Sequence, residues 1–243
     1  MPPIERRARV AGEAAETETL GEAAYQQLRR DIVAGVFEAG KPLRLEALRQ
    51  RYGFSFSPLR EALTRLQSER LVASTALRGF SVAPLSREEM SDAAETRILI
   101  ECEALRRSMR QGGDDWEATI VAAFHALCLQ TERLAQTDGA AEAAEVLAME
   151  KRHHDFHRAL IAYCKSPRLL EIAGQLYTET QRYRLPSLIG RVAGKHARDV
   201  PKEHKEIMDA ALRRSESALD LLAAHYRKTS EIISTSAEWG DEK

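Results

Sequence analysis

Four of the seven histidines in this 243-residue chain sit on apolar helix stripes. His153 and His157 are one helical turn apart, in line with Val146, Met149, Leu160 and Cys164. His204 shares a face with Ile207, Met208 and Ala211, and His225 lies among Ala218, Leu221, Leu222 and Ile232. Burying an imidazole costs free energy unless its nitrogens find partners. One divalent metal ion could partner all four, and an i, i+4 pair presents two ligands from a single helix. Imidazole-rich sites suit Zn2+, Ni2+ or Co2+ better than Mg2+ or Ca2+, with Zn2+ or Ni2+ expected first. Any one of these histidines is explained as well by a hydrogen-bonded core side chain; four on three helices point to an ion. His154 is turned about 100° from His153 by the helix period, and His125 and His196 lack this placement.

Arg97 and Glu101 share a stripe with Met90, Ala94 and Ala104, which turns both inward. A buried arginine needs an anionic partner. Glu101 fills that need structurally, or Arg97 grips the carboxylate of a small organic-acid effector with its planar fork. The residues leave both readings open.

A second chemistry is electrostatic. Between Lys41 and Leu85 stand eight basic residues (Lys41, Arg44, Arg49, Arg51, Arg60, Arg65, Arg70, Arg78) against Glu46, Glu61 and Glu69. That stretch is near +5, while the whole chain carries −1. A local basic patch on a neutral protein suits phosphate binding, although a solvated basic face has the same composition.

The elements that must position these groups follow from period and punctuation. Leu20, Ala24, Leu28 and Ile32 recur at helical spacing behind Thr19, a residue suited to N-capping. Gly35 and the Gly40-Lys41-Pro42 turn end that helix. A short helix from about Arg44 to Tyr52 stops at Gly53, and Ser55 with Pro58 in the first turn opens another to about Arg70. Two short helices around a glycine turn describe a helix-turn-helix. Leu71–Ser74 and Phe80–Ala83 then read as two strands of a hairpin, a wing with Arg78 and Gly79 at its tip.

From Ser86 onward the pattern is helical throughout. Helices are expected over about Ser86–Arg110, Asp115–Ala135, Ala141–Cys164, Pro167–Arg184, Val200–Arg213 and Ser217–Ile233, with a loop over Pro186–Arg198. The fold class is therefore mainly α: a winged helix-turn-helix over 20–85, an all-α bundle over 86–243 and a disordered arm over 1–19. Cys102, Cys128 and Cys164 are widely spaced among helical residues, as expected of reduced thiols in a cytoplasmic protein. No run of about eighteen apolar residues is present for a membrane span.

Gly40-x-Pro42-Leu43, Tyr52-Gly53-Phe54-Ser55, Ser57-Pro58-Leu59-Arg60-Glu61-Ala62-Leu63-x-Arg65-Leu66 and Arg78-Gly79-Phe80-x-Val82 occur in an order that resembles the GntR family of winged-helix regulators. The resemblance implies a double-stranded DNA operator as partner, with the start of the second helix in the major groove. It assigns contacts to Ser55, Ser57 and Arg60 and, at the wing, to Gly79; the basic patch adds Arg44, Arg65 and Arg78 as candidates. Phe56 stands where such regulators usually place a guanine-reading arginine. A phenyl ring can only touch a thymine methyl or pack, so base preference is expected to differ.

Farther on, Phe156-His157-Arg158-Ala159-Leu160, Pro167-Arg168-Leu169-Leu170, Glu203-His204-Lys205-x-Ile207 and Ala224-His225 resemble the FCD effector domain of the FadR-type class, with Arg97-x-Leu99-x-Glu101 matching its first helix. The resemblance implies a metal held at His153, His157, His204 and His225, and an effector carboxylate that completes its coordination. His153 replaces the usual aspartate, which leaves the site one negative charge poorer. A repressor is expected, acting as a homodimer because palindromic half-sites match two-fold proteins. The rival readings are a metalloenzyme built on His153, His157 and His204, and a purely structural metal or a metal-free histidine cluster. Against the enzyme, no H-E-x-x-H or comparable base-bearing motif lies near them.

Overall fold

A computed structural model describes residues 19–75, 79–136, 143–191 and 199–236. The arm expected before Thr19 lies outside them.

Helix α1 (Leu20–Val33) starts where the Thr19 hydroxyl accepts the Glu22 N–H at 3.1 Å. Helix α2 (Leu45–Tyr52) stops at Gly53, whose φ of 76° is the left-handed conformation that a side chain disfavours. Helix α3 (Phe56–Ser68) lays Leu59, Ala62, Leu63 and Leu66 into the core. Each fully buried leucine there contributes about 1.5–3 kcal/mol of transfer free energy. Strands β1 (Val72–Thr75) and β2 (Gly79–Val82) pair antiparallel, Val72 opposite Val82 and Thr75 opposite Gly79. Both are shifted by one residue from the expected strands.

The Gly40–Leu43 segment, expected only as a turn, also pairs with β2. Gly40 N–H donates to the Val82 carbonyl (3.0 Å), Val82 N–H to Lys41 (2.9 Å) and Leu43 N–H to Phe80 (2.8 Å). Pro42 has no N–H to donate, and such a short edge is where proline is tolerated.

The rest of the described chain is helical: α4 (Arg87–Gln111), α5 (Asp114–Ala135), α6 (Ala143–Ile161), α7 (Pro167–Arg191), α8 (Val200–Leu212) and α9 (Ser217–Ser236). Ser86 caps α4 by accepting the Glu89 N–H at 3.3 Å. The loop expected from Pro186 is corrected: α7 runs through this proline to Arg191, and residues 192–198 lie outside the described ones. Proline removes one i to i−4 hydrogen bond. The preceding turn is held by packing, with Tyr183 and Leu185 buried and Arg184 paired to Glu150.

Trp116 and Phe156 anchor the bundle core, and the Trp116 indole donates to the Ala159 and Leu160 carbonyls at 3.1 Å. Val146 and Leu185 leave that core and join the one beneath the winged helix. The two parts of the chain therefore share apolar contact. No helix among the described residues is long and apolar enough to cross a membrane.

Candidate metal centre and nucleic-acid interface

Three helices deliver the four histidines to one point. His153 and His157 come from the middle of α6, His204 from the first turn and a half of α8, and His225 from α9. All four are buried, and one ligand nitrogen from each lies within 4.8 Å of the others. His157 Nε2 is 3.2 Å from His153 Nε2 and 3.3 Å from His204 Nε2.

The outer nitrogens fix the tautomers. His204 Nδ1 is 2.7 Å from the Val200 carbonyl, which can only accept, so this nitrogen carries the proton. His225 Nδ1 meets the Glu203 carboxylate at 3.1 Å, and Lys228 holds the other Glu203 oxygen at 2.7 Å. Tyr226 donates its single hydroxyl proton to Glu101 Oε2 at 2.5 Å, so it accepts from His157 Nδ1 at 2.8 Å. Three Nε2 lone pairs are thereby aimed inward. Imidazoles whose outer N–H is held by a carbonyl, carboxylate or hydroxyl are the usual ligands of a metal.

The protonation states agree with this. Burial, followed by the neighbouring imidazoles and the Arg97 and Arg184 guanidiniums, holds His153 and His157 well below the ordinary histidine pKa. Neutral imidazole is the ligating form. His153 Nδ1, by contrast, is buried without a hydrogen-bond partner. The donor set fits a borderline divalent ion.

Around the cluster runs a shell of buried polar groups. Arg97 Nε pairs with Glu101 Oε1 at 2.5 Å, its Nη2 donates to Tyr226 at 3.1 Å, and its guanidinium lies 4.2 Å over the Tyr226 ring. The anionic partner of Arg97 is thus Glu101. Arg184 and Glu150 form a second buried pair, and Tyr177 donates to Glu150 at 2.5 Å. His154, turned away from the cluster, stacks on Tyr177 with centroids 3.8 Å apart, and burial pulls its pKa to about 4. Sequence reasoning missed Tyr226, Glu203, Arg184 and Glu150. The adjacency of Tyr226 to His225 and of Glu203 to His204 was the available signal.

At the other end, Ser55 is the N-cap of α3, yet its side chain makes no capping hydrogen bond. Its hydroxyl is exposed, as are Ser57 and Arg60. A cavity of about 460 Å³ lies between α2, α3 and the wing, and brings together Arg44, Arg60 and Gly79 over Leu43, Leu45 and Phe80. Gly79 has φ +78°, which keeps the tip narrow where a Cβ would strain the turn. Phe56 is 44% exposed at the start of α3, with the Arg49 guanidinium 5.5 Å from its ring centroid. Arg65 points elsewhere: it binds Glu22 at 2.6 Å and lies 3.6 Å over Tyr25, bracing α3 against α1. Arg78 falls outside the described residues.

Residues 20–82 match the model of bacterial regulatory proteins of the gntR family, and residues 92–228 match the FCD domain. The chain is 38% identical over 224 residues to the HTH-type transcriptional regulator BphR of Paraburkholderia xenovorans (strain LB400), covering 90% of this chain and 87% of that one. It is 32% identical over 203 residues to the HTH-type transcriptional repressor GlaR of Escherichia coli (strain K12), covering 83% and 90%. Among solved structures, a GntR transcriptional regulator from Rhodococcus sp. RHA1 superposes with a TM-score of 0.67 at 24% identity, over 90% of this chain and 99% of that one. E. coli McbR/YncC gives 0.68 at 18% identity, over 89% and 98%. At those identities the two structures speak for a common fold.

Proposed function

This chain belongs to the gntR family of bacterial regulatory proteins and carries an FCD domain, and we propose that it is a repressor whose grip on its operator is set by a divalent metal and a small organic acid. Family and relatives are transcriptional regulators rather than enzymes. The observation that carries the reading is the cluster His153, His157, His204 and His225, with its inward-facing Nε2 atoms.

Those four residues would hold the ion, which when bound would supply a site for an anionic oxygen. Charge accounting supports an acidic effector. The four imidazoles are neutral donors, and the nearby Glu101 and Glu150 are each matched by an arginine. A divalent ion there keeps a net +2 in a buried place, which favours a carboxylate beside it. Arg97 already shares its fork between Glu101 and Tyr226, so an effector carboxylate would compete with Glu101 for it. A second copy of the chain is expected in the working unit, because two-fold proteins match palindromic half-sites.

The deciding measurement is operator affinity for protein purified without a histidine tag, chelated and then reloaded with Zn2+ or Ni2+. A shift of several-fold or more supports regulation. A chelated protein that loses thermal stability but binds DNA unchanged carries a structural metal instead. No stoichiometric uptake sinks the metal reading altogether.

On the DNA side, the interface is Arg44, Ser55, Phe56, Ser57, Arg60 and Gly79, with Arg65 withdrawn to its ion pair. Arg60→Ala is expected to weaken operator binding by at least about 1 kcal/mol, and binding falls steeply with salt. Arg65→Ala should act mainly on stability. If Arg60→Ala binds like the parent, the α3 assignment is wrong. Phe56→Arg is expected to alter which bases a random DNA pool returns, because a guanidinium can bond guanine bidentately where a phenyl ring cannot. An unchanged selected sequence would show that residue 56 reads nothing.

A further inference from the structure

Helix α7 presents two sets of residues at helical spacing, and each set holds a different part of the molecule. Tyr177, Thr180 and Arg184 face the histidine centre: Tyr177 and Arg184 hold Glu150, and Thr180 accepts from Arg97 Nη1 at 3.4 Å. Thr178, Arg182 and Leu185 face the winged helix. Arg29 of α1 donates to Thr178, and Leu185 enters the apolar core beneath α1 and α3.

Arg182 makes the most of these contacts. It is only 5% exposed, and its hydrogen bonds go to backbone carbonyls. Nη1 donates to Arg70 O at 3.2 Å, and Nη2 donates to Ala83 O and, at 3.2 Å, to Pro84 O. Arg70 is the left-handed residue (φ 57°) that ends the recognition-helix turn, while Ala83 and Pro84 follow β2. One planar fork therefore holds the exits of both DNA-facing elements. A hydrogen-bonded path also reaches α7 from the histidines: His157 Nδ1 to Tyr226, Tyr226 to Arg97, and Arg97 to Thr180.

We propose that Arg182 is the positioning residue that fixes the winged helix on the helical bundle and so conveys the state of the histidine centre to the operator. The second half of this statement rests on the metal-responsive reading above; the first half does not. Arg182 is buried without a carboxylate hydrogen bond among the described contacts, a costly arrangement that pulls its pKa below arginine's ordinary value. Such a group is retained where its geometry matters. Lysine, a point charge without the fork, cannot reproduce three carbonyl contacts in two directions.

The test uses full-length protein with Cys102, Cys128 and Cys164 replaced by serine and spin labels at Gln50→Cys and Glu171→Cys, diluted with unlabelled chain. The parent should give a narrow distance distribution. Arg182→Gln should broaden or shift it with helicity unchanged, and Arg182→Lys, the variant more certain to fold, should lie between. An unaltered distribution in both variants overturns the proposal. In the second arm, operator Kd is measured with Zn2+ and with chelator. Allosteric couplings typically span about 5–150-fold, and the Arg182→Gln ratio should fall to within about twofold of unity. A variant that keeps the parent's ratio refutes the coupling role. A parent with no ratio at all refutes the metal-responsive reading, and the distance arm then decides Arg182 alone.

Discussion

His157→Ala is expected to abolish the stoichiometric Zn2+ or Ni2+ uptake proposed for this centre, and Tyr226→Phe only to weaken it. His157 is the hub of the cluster, 3.2 Å from His153, 3.3 Å from His204, and tied through Nδ1 to Tyr226. Alanine removes a ligand and also the ring that lies between the His153 and His204 donors. Phenylalanine at 226 leaves every ligand in place and removes only the hydroxyl that holds the His157 tautomer. Loss of such an outer partner typically costs about 10–100-fold in metal affinity, so the His157→Ala loss must be larger than that. His204→Ala should resemble His157→Ala, because the Val200 carbonyl fixes its Nε2 inward in the same way. The measurement is metal titration against a competing chelator, with helicity as the check on folding. If His157→Ala takes up metal as the parent does, the metal does not bind at this centre.

The histidines could be found in the sequence because their signal is periodic. An imidazole in register with Val146, Leu160, Ile207 or Leu222 must face inward, and packing turns inward-facing side chains of a small bundle toward one another. The winged helix was legible for a similar reason: caps, glycines and apolar stripes are local, and Thr19, Gly53 and Ser86 do at their termini what such residues usually do. What stayed hidden depends on long-range partners. Glu101 and Tyr226 meet across α4 and α9, and Glu150 and Arg184 across α6 and α7; each pair is buried only because both partners are present. Arg65 looked like a groove residue by charge, yet Glu22 and Tyr25 on another helix claim it. Pro186 looked like a break, and tertiary packing of the preceding turn overrode it. The edge formed by Gly40–Leu43 needed β2 to exist first. Nor does the sequence show that burial holds the His153 and His157 imidazoles well below the ordinary histidine pKa, so that protons compete for them only at lower pH.

That displacement sets the largest expected effect on stability, which is acid sensitivity of the metal-free protein. His153 and His157 are held neutral, first by burial and then by their neighbouring imidazoles. His154 is lowered to about 4, again chiefly by burial. In the unfolded chain all three titrate near about 6.5. Below that pH the unfolded state binds more protons than the native state, so stability falls as pH falls, and keeps falling until the depressed native values are reached. Each histidine contributes about 1.4 kcal/mol per pH unit in that window, so three together approach about 4 kcal/mol per unit. Against a total stability of about 5–15 kcal/mol, this is a large loss by about pH 4, where His154 ceases to contribute, and the chelated protein is expected to unfold in acid. A bound divalent ion opposes the same protons, so saturation with Zn2+ should move the acid midpoint downward. The check is unfolding free energy from denaturant titrations between pH 7.5 and about 5, with and without metal. His154→Gln, which should leave the metal ligands intact, should lower the metal-free slope by about 1.4 kcal/mol per pH unit. A flat profile for the chelated protein would mean that these imidazoles are not buried neutral, and acid midpoints that coincide with and without Zn2+ would mean that they hold no ion.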